Sequence, residues 1–338
     1  MARGNAGQAC KRAALSLLVT ILVSGLLGPE ILSAAEKYKQ RDDLFSVSFA
    51  NEQEGWACGD WGVIWHTADG GRTWEFQESG TKATLSSVFF FDSRHGWAVG
   101  KEGTIVYTED GGDAWTRQES PVALFHRDVF FVTPSKGWVA SEKTHILYTG
   151  DGGKTWEVQF NDDVYNLTSI SFSDENHGWT VGEYGFTYHT GDGGSHWEHQ
   201  AGYFRVSDET GDIDTGVTLF DVVALDAMTG LAVGADGVVT RTGDGGETWR
   251  REKGDFPPVP FFGAAYDGLD TIVIGGKQAY FESPDKGRTW RELVLHPPMR
   301  YRWLYGFDAI STGRFAGVGE EGAIYVGEVP EPLTRIDY

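Results

Sequence analysis

The sequence predicts an all-β fold, a seven-bladed β-propeller of four-stranded antiparallel blades, and three observations predict it. A short phrase occurs six times: TADGGRTWE at 67–75, TEDGGDAWT at 108–116, TGDGGKTWE at 149–157, TGDGGSHWE at 190–198, TGDGGETWR at 242–250 and SPDKGRTWR at 283–291. Its aspartates, Asp69, Asp110, Asp151, Asp192, Asp244 and Asp285, are spaced by 41, 41, 41, 52 and 41 residues, a period that signals four-stranded blades. Between recurrences, alternating apolar runs are punctuated by Gly-rich turns, the pattern of an antiparallel meander.

The N-terminus stands apart from the repeats. Arg3, Lys11 and Arg12 precede an almost wholly apolar run at 13–28, and Ser33-Ala34-Ala35 offers small residues before a cleavage point. These features predict a secretory signal peptide, 1–35, cleaved after Ala35. The 16-residue run is short for a membrane span of about 20 residues, an uncleaved anchor being the alternative. Cys10 precedes that run, so there is no lipoprotein-type site. The remaining 303 residues, 36–338, hold seven repeats of 41 with the 11 extra residues of the fourth interval, and do not hold eight. Only Cys58 survives cleavage, so packing and strand pairing hold the domain without an intrachain disulfide.

Each unit begins with an alternating strand (LFSVSF 44–49, TLSSVFF 84–90, NLTSISF 166–172). A Gly-Trp strand follows (GWACG 55–59, GWAVG 96–100, GWVAS 137–141, GWTVG 178–182), then a tight turn, a third strand, the repeated phrase and a fourth strand. Blades five to seven diverge, with Leu231, Ile272 and Phe315 at the second-strand Trp position. The seventh lacks the aspartate phrase. Its outer strand comes either from 333–338 or from the segment around 36–42, and either would remove an open edge.

Every fixed letter of the phrase has a structural reason. The aspartate accepts hydrogen bonds from backbone N–H groups a few residues on, Gly71 and its counterparts supply positive φ, and the following Thr bonds back to the loop. The tryptophans, Trp74, Trp115, Trp156, Trp197, Trp249 and Trp290, pack beneath. An aromatic side chain buries roughly 150–250 Å², about 4–6 kcal/mol at about 25 cal/mol/Å² before entropy.

S/T-x-D-x-G-x-T-W is similar to the Asp-box, or bacterial neuraminidase repeat. Its recurrence beside G-W-A-V-G and E-G-T-I over about residues 40–327 resembles the photosystem II stability/assembly factor family. Asp-boxes alone also occur in sialidases, xyloglucan-cleaving enzymes and sorting receptors; the combination in a 41-residue register is more specific. The resemblance implies a non-enzymatic binding propeller without a cofactor. It also implies a client among membrane or exported proteins, reaction-centre polypeptides where the source is photosynthetic, and an arginine-rich patch for client contact.

The alternative is an Asp-box glycoside hydrolase of sialidase type or a carbohydrate-binding propeller; an extracellular adhesion propeller is a third reading. A sialidase needs three arginines, a tyrosine and acids near the ring axis. The expected innermost positions are Ser46, Ser87, Asp128, Ser169 and Asp221, with Arg127 the lone arginine among them. Asp128 and Asp221, as acid and base of a glycosidase, would lie two blades apart, and polar side chains lining a wet channel are the ordinary expectation. The nine histidines show no metal-ligand spacing; His196 and His199 fall on an expected strand, facing opposite sides. Acids recur after the Gly-Trp strand, at Asp60, Glu102, Glu142, Glu183, Asp236 and Glu320, on what would be one face. They suit a cation or a basic segment, and are equally good turn formers.

Without the signal the chain has 25 basic and 48 acidic residues, net −23, which argues against nucleic acid or an anionic bilayer as general partners. Nine arginines fall in the last 98 residues against six in the preceding 205. Arg250, Arg251, Arg288, Arg291, Arg300 and Arg302 are therefore candidate partner-binding residues. Asp208 and Asp212 join them from the insertion at 203–217, with the Pro-aromatic segments 255–262 and 296–303 alongside. The protein reads as a monomer located in the periplasm or a lumen-like compartment. Deleting 205–215 is expected to leave the fold intact, by circular dichroism, while weakening retention of client proteins in affinity capture.

Overall fold

The computed structural model describes residues 42–206 and 213–338. The predicted signal peptide with its cleavage point, and Asp208 and Asp212, lie outside the described residues. Seven antiparallel meanders form the ring, each laid out in chain order from the hub outward. The hub strands are Leu44–Phe49, Leu85–Phe90, His126–Phe131, Leu167–Phe172, Leu219–Ala224, Phe261–Tyr266 and Leu304–Ser311. Only three-residue 3-10 turns interrupt the strands among the described residues. Because each blade is a meander, the turns between second and third strands share one face with the linkers between blades. The aspartate turns lie on the other face. The insertion forms a two-stranded hairpin on the linker side, Phe204–Val206 with Ile213–Thr215.

In blade one, Thr67 Oγ1 donates to Asp69 Oδ1 (2.9 Å) and accepts from Gly71 N (2.9 Å). Asp69 accepts from the backbone of Arg72 and Thr73 and from the Thr73 hydroxyl (2.9, 2.9 and 2.7 Å). Asp151, Asp244 and Asp285 repeat the backbone and hydroxyl bonds. Partial desolvation would raise Asp69, but these donors outweigh it and hold the carboxyl at about 2. His196 takes the place of the hydroxyl partner at Asp192 (2.6 Å). It therefore sits in the turn, with His199 in the outer strand Glu198–Ala201, which corrects the placement of both histidines on one strand.

The Gly-Trp strands reveal how blades are joined. Trp56, Trp97, Trp138 and Trp179 are wholly buried. The first three stack on a phenylalanine of the next blade's hub strand, Phe90, Phe131 and Phe172, at 3.4, 3.6 and 3.7 Å between centroids. A glutamine on the outer strand completes the joint. Gln77, Gln118, Gln159 and Gln200 donate to Gly111, Gly152, Gly193 and Gly245 in the next blade's aspartate turn (3.0, 3.0, 3.0 and 2.7 Å). The second glycine of four DGG turns, Gly112, Gly153, Gly194 and Gly246, is thus required twice over. Gly153 has φ +85°, and a Cβ there would lie 2.0 Å from Gln118 Oε1.

The strand Leu333–Arg335 supplies the outer strand of blade seven, which decides between the two expected sources. A short parallel strand from the linker before the blade, Leu295–His296, covers its edge. Among the described residues no strand is exchanged between first and last blades. The seam is held instead by an apolar cluster in which Leu44, Val47 and Trp74 pack with Ile310, Ile324 and Val326, and by Asp308 with Phe49 N (2.6 Å), Arg314 with Gly70 O (2.7 Å) and Asp43 with Glu321 N (2.9 Å). Tyr338 also stacks edge-on against Trp65 at 4.9 Å.

Gly153→Ala is expected to lower the unfolding free energy by about 1–3 kcal/mol. Combined with Gln118→Ala, the two costs should be less than additive, because the collision goes while the left-handed backbone remains. Urea unfolding of the four-member cycle measures the coupling.

Candidate binding site at the hub

In every blade the pairing of the hub strand slips by one residue near its start, as between Leu44 and Ser46 or between Phe261 and Gly263. Such a bulge leaves one residue unpaired and re-aims its side chain. The seven extra residues are Phe45, Ser86, Arg127, Thr168, Phe220, Phe262 and Tyr305, and all line one cavity of about 320 Å³ at the linker-face mouth of the channel. They are not alike around the ring. Blades five, six, seven and one contribute a continuous aromatic arc: Phe220 to Phe262 (5.2 Å), Phe262 to Tyr305 (5.6 Å) and Tyr305 to Phe45 (5.3 Å between centroids). Blades two to four contribute Ser86, Arg127 and Thr168.

The two hydroxyls are spent within the fold, Ser86 on His126 O (2.6 Å) and Thr168 on Leu219 O (2.8 Å). Arg127 is different. Its guanidinium lies 3.9 Å from the centroid of Phe125 and donates through Nη2 to Glu142 (3.1 Å), while its Nε is buried without an acceptor. Lys101 also lines the mouth, with Nζ 5.7 Å from the Phe125 ring.

Below the mouth, a channel of about 430 Å³ is lined by Ser46, Ser87, Asp128, Ser169, Asp221 and Asp308, among others. These side chains bridge consecutive blades. Ser46 accepts from Val88 N (3.2 Å), Ser87 donates to Asp128 (2.7 Å), and Asp128 accepts from Ile170 N (2.9 Å). Ser169 donates to Asp221 (2.7 Å), which accepts from Ala264 N (2.8 Å). Blades six and seven carry Gly263 and Gly306 at this level, where a Cβ would lie 2.9 and 2.6 Å from the neighbouring backbone carbonyls. The carboxylates expected as a glycosidase pair are thus engaged in joining strands, and Asp308 is a third that the repeat alignment missed. Desolvation pushes Asp221 up to about 7, with the nearby Asp128 charge adding to it, and pushes Asp308 up to about 7; Asp128 is also raised. All three open on the channel rather than on solid core, so solvent relieves part of that penalty.

Four of the six recurring turn acids are occupied locally. Asp60 accepts from Thr84 (3.0 Å), Glu183 from Asn166 (3.0 Å), Glu320 from Tyr305 (3.2 Å), and Glu142 holds Arg127. Among the described residues no cluster of three or more His, Cys, Asp or Glu is placed to hold a metal. The candidate arginines occupy three regions. Arg250, Arg251 and Arg291 are on outer strands at the rim, where Arg251 donates to Asp236 O (3.3 Å) and Arg291 pairs with the buried Glu282. Arg288 is in the aspartate turn of blade six, donating its backbone N–H to Asp285 (3.1 Å). Arg300 and Arg302 lie on the linker before blade seven, where Arg302 pairs with Glu321.

The family described as Photosynthesis system II assembly factor YCF48 matches residues 73–127 and 115–201. Over residues 73–201 the chain is therefore similar to photosystem II assembly factors. The structure of "YCF48 bound to D1 peptide" superposes with a TM-score of 0.67 at 20% identity, covering 86% of this chain and 93% of that one. YCF48 from Cyanidioschyzon merolae gives 0.67 at 18%, covering 86% and 96%. The GH74 enzyme of Niastella koreensis gives 0.64 at 13%, covering 88% of this chain and 54% of the enzyme. At these identities the superpositions speak for the fold alone. No curated protein matches. The matched segment ends in blade four of the propeller, so the aromatic arc belongs largely to the blades beyond it.

The raised carboxylates carry a sign. A carboxyl whose folded-state value lies above its unfolded one contributes stability below the unfolded value and loses it as pH rises through the folded one. For Asp221 and Asp308, stability should fall between about pH 4 and 7 and level off above. Asp308→Asn, which keeps an acceptor for Phe49 N, should flatten part of that slope in urea unfolding measured from pH 4.5 to 8.

Proposed function

We propose that the chain is an exported, non-catalytic propeller that binds a polypeptide client and aids assembly or stabilisation of a membrane-protein complex. The observation that carries this reading is the assembly-factor family match over 73–201. The structure of a YCF48 with a D1 peptide supports a polypeptide as client, a reaction-centre polypeptide if the source is photosynthetic. The signal-like N-terminus supports action outside the cytoplasm. The linker face offers the contact surface: it carries the hub mouth, the insertion hairpin, and the exposed Trp61 and Tyr301. Arg300 and Arg302 act there, with Arg250, Arg251, Arg288 and Arg291 at the rim and far face as further contacts.

A glycoside hydrolase reading draws only on the shared fold with the GH74 enzyme. The hub has one arginine, not three, and its carboxylates are committed to joining strands.

Affinity capture of the tagged mature protein from detergent-solubilised membranes of the source cells should enrich polypeptides of one membrane complex. Enrichment equal to that of an untagged control would count against the proposal. Turnover of a sialoside or β-glucan would replace it with the enzyme reading.

A further inference from the structure

The mouth of the channel has two unlike halves: an aromatic arc from four consecutive blades and, across the ring, a guanidinium on a phenyl ring. Glu142 is the only hydrogen-bonding partner of Arg127 among the described residues, and its Nε is buried without an acceptor. A guanidinium has five donors in a planar fork. Here one is used. Lys101, on the same side of the mouth, adds a second positive charge in a chain of net charge −21. Arg127 is about a third exposed and Lys101 is exposed, so an anion entering the mouth can reach both cations, and the buried Nε is the one donor left without a partner.

We propose that the hub mouth is a binding site for a carboxylate carried next to an aromatic or branched apolar side chain, presented by a polypeptide. The apolar group lies against Phe220, Phe262 and Tyr305, and the carboxylate meets Arg127, with Lys101 reinforcing the field. The cavity, about 320 Å³, takes one or two side chains, so the site reads the tip of a segment and not a long strand. The seven bulges explain why such a site exists here: each re-aims one side chain toward the axis, and blade identity decides its chemistry. The inference rests on the protein-binding reading above, and gives that reading an anchor distinct from the arginines of blades five to seven.

The test uses the whole mature protein and four probes in calorimetric titration: N-acetyl-Asp-Phe-amide, N-acetyl-Phe with a free C-terminal carboxylate, N-acetyl-Asn-Phe-amide as neutral control, and a xyloglucan oligosaccharide. At least one acidic probe should bind about tenfold or more tighter than the neutral one, as a charge-assisted bond implies. Which acidic probe wins tells an acidic side chain from a chain terminus. Added salt should weaken that preference. Arg127→Gln should abolish it, Arg127→Lys should retain part, and Lys154→Gln, in the aspartate turn of blade three, should leave it unchanged. If Arg127→Gln does not fold, the wild-type discrimination and the lysine variant decide alone. Equal binding of acid and amide, indifference to the Arg127 variants, or binding of the oligosaccharide alone would overturn the site. Client capture that persists undiminished with Arg127→Gln would likewise remove the site while leaving the protein-binding proposal standing.

Discussion

The stacking of one blade's tryptophan on the next blade's phenylalanine is the contact on which the ring depends. A four-stranded meander has two broad apolar faces and cannot bury either alone. Trp56 on Phe90, Trp97 on Phe131 and Trp138 on Phe172 seal those faces pairwise. The same geometry brings the neighbouring glutamine against the DGG turn, so an aspartate turn that looks like a self-contained local motif is half of a joint. This explains why the phrase is so nearly constant within the chain: its letters answer to the adjoining blade as well as to their own.

Blades five to seven are built differently. With Leu231, Ile272 and Phe315 in the tryptophan's place, aliphatic and phenyl packing takes over. Phe256, Phe261, Phe281 and Trp290 form an edge-to-face aromatic group within blade six and its linker. These blades also carry most of the hub's aromatic arc and the two hub glycines. The more regular half of the wheel provides a repeated joint, and the less regular half gives the mouth its apolar side.

The number of blades and the run of strands were legible because both are written as a period of 41 residues and as strict alternation. The Gln joint was also written, as W-x-x-Q after four of the turns (Gln77, Gln118, Gln159, Gln200), but its meaning depends on a glycine 34 to 45 residues away. The hub site was much less so. Arg127 stood out only as a lone arginine, since a bulge is invisible in an alternation pattern and the ring alone brings residues from seven distant stretches to one axis. Asp308 escaped because it sits two residues beyond the position that Asp128 and Asp221 occupy. The arginine count in the last third was real, yet composition along a chain says little about faces, and the fold divides those residues between rim, turn and linker.

Among the described residues, blade order in space follows blade order in the chain without any borrowed strand, so the wheel they form is a split washer. The cut lies between the first and last sectors, where packed apolar side chains from both, three polar clasps and Tyr338 do what a shared ribbon does in rings that weave their two ends together. Whatever spreads the two ends of the washer must pull this packed seam apart, and two members of the aromatic arc, Phe45 and Tyr305, stand on either bank of it.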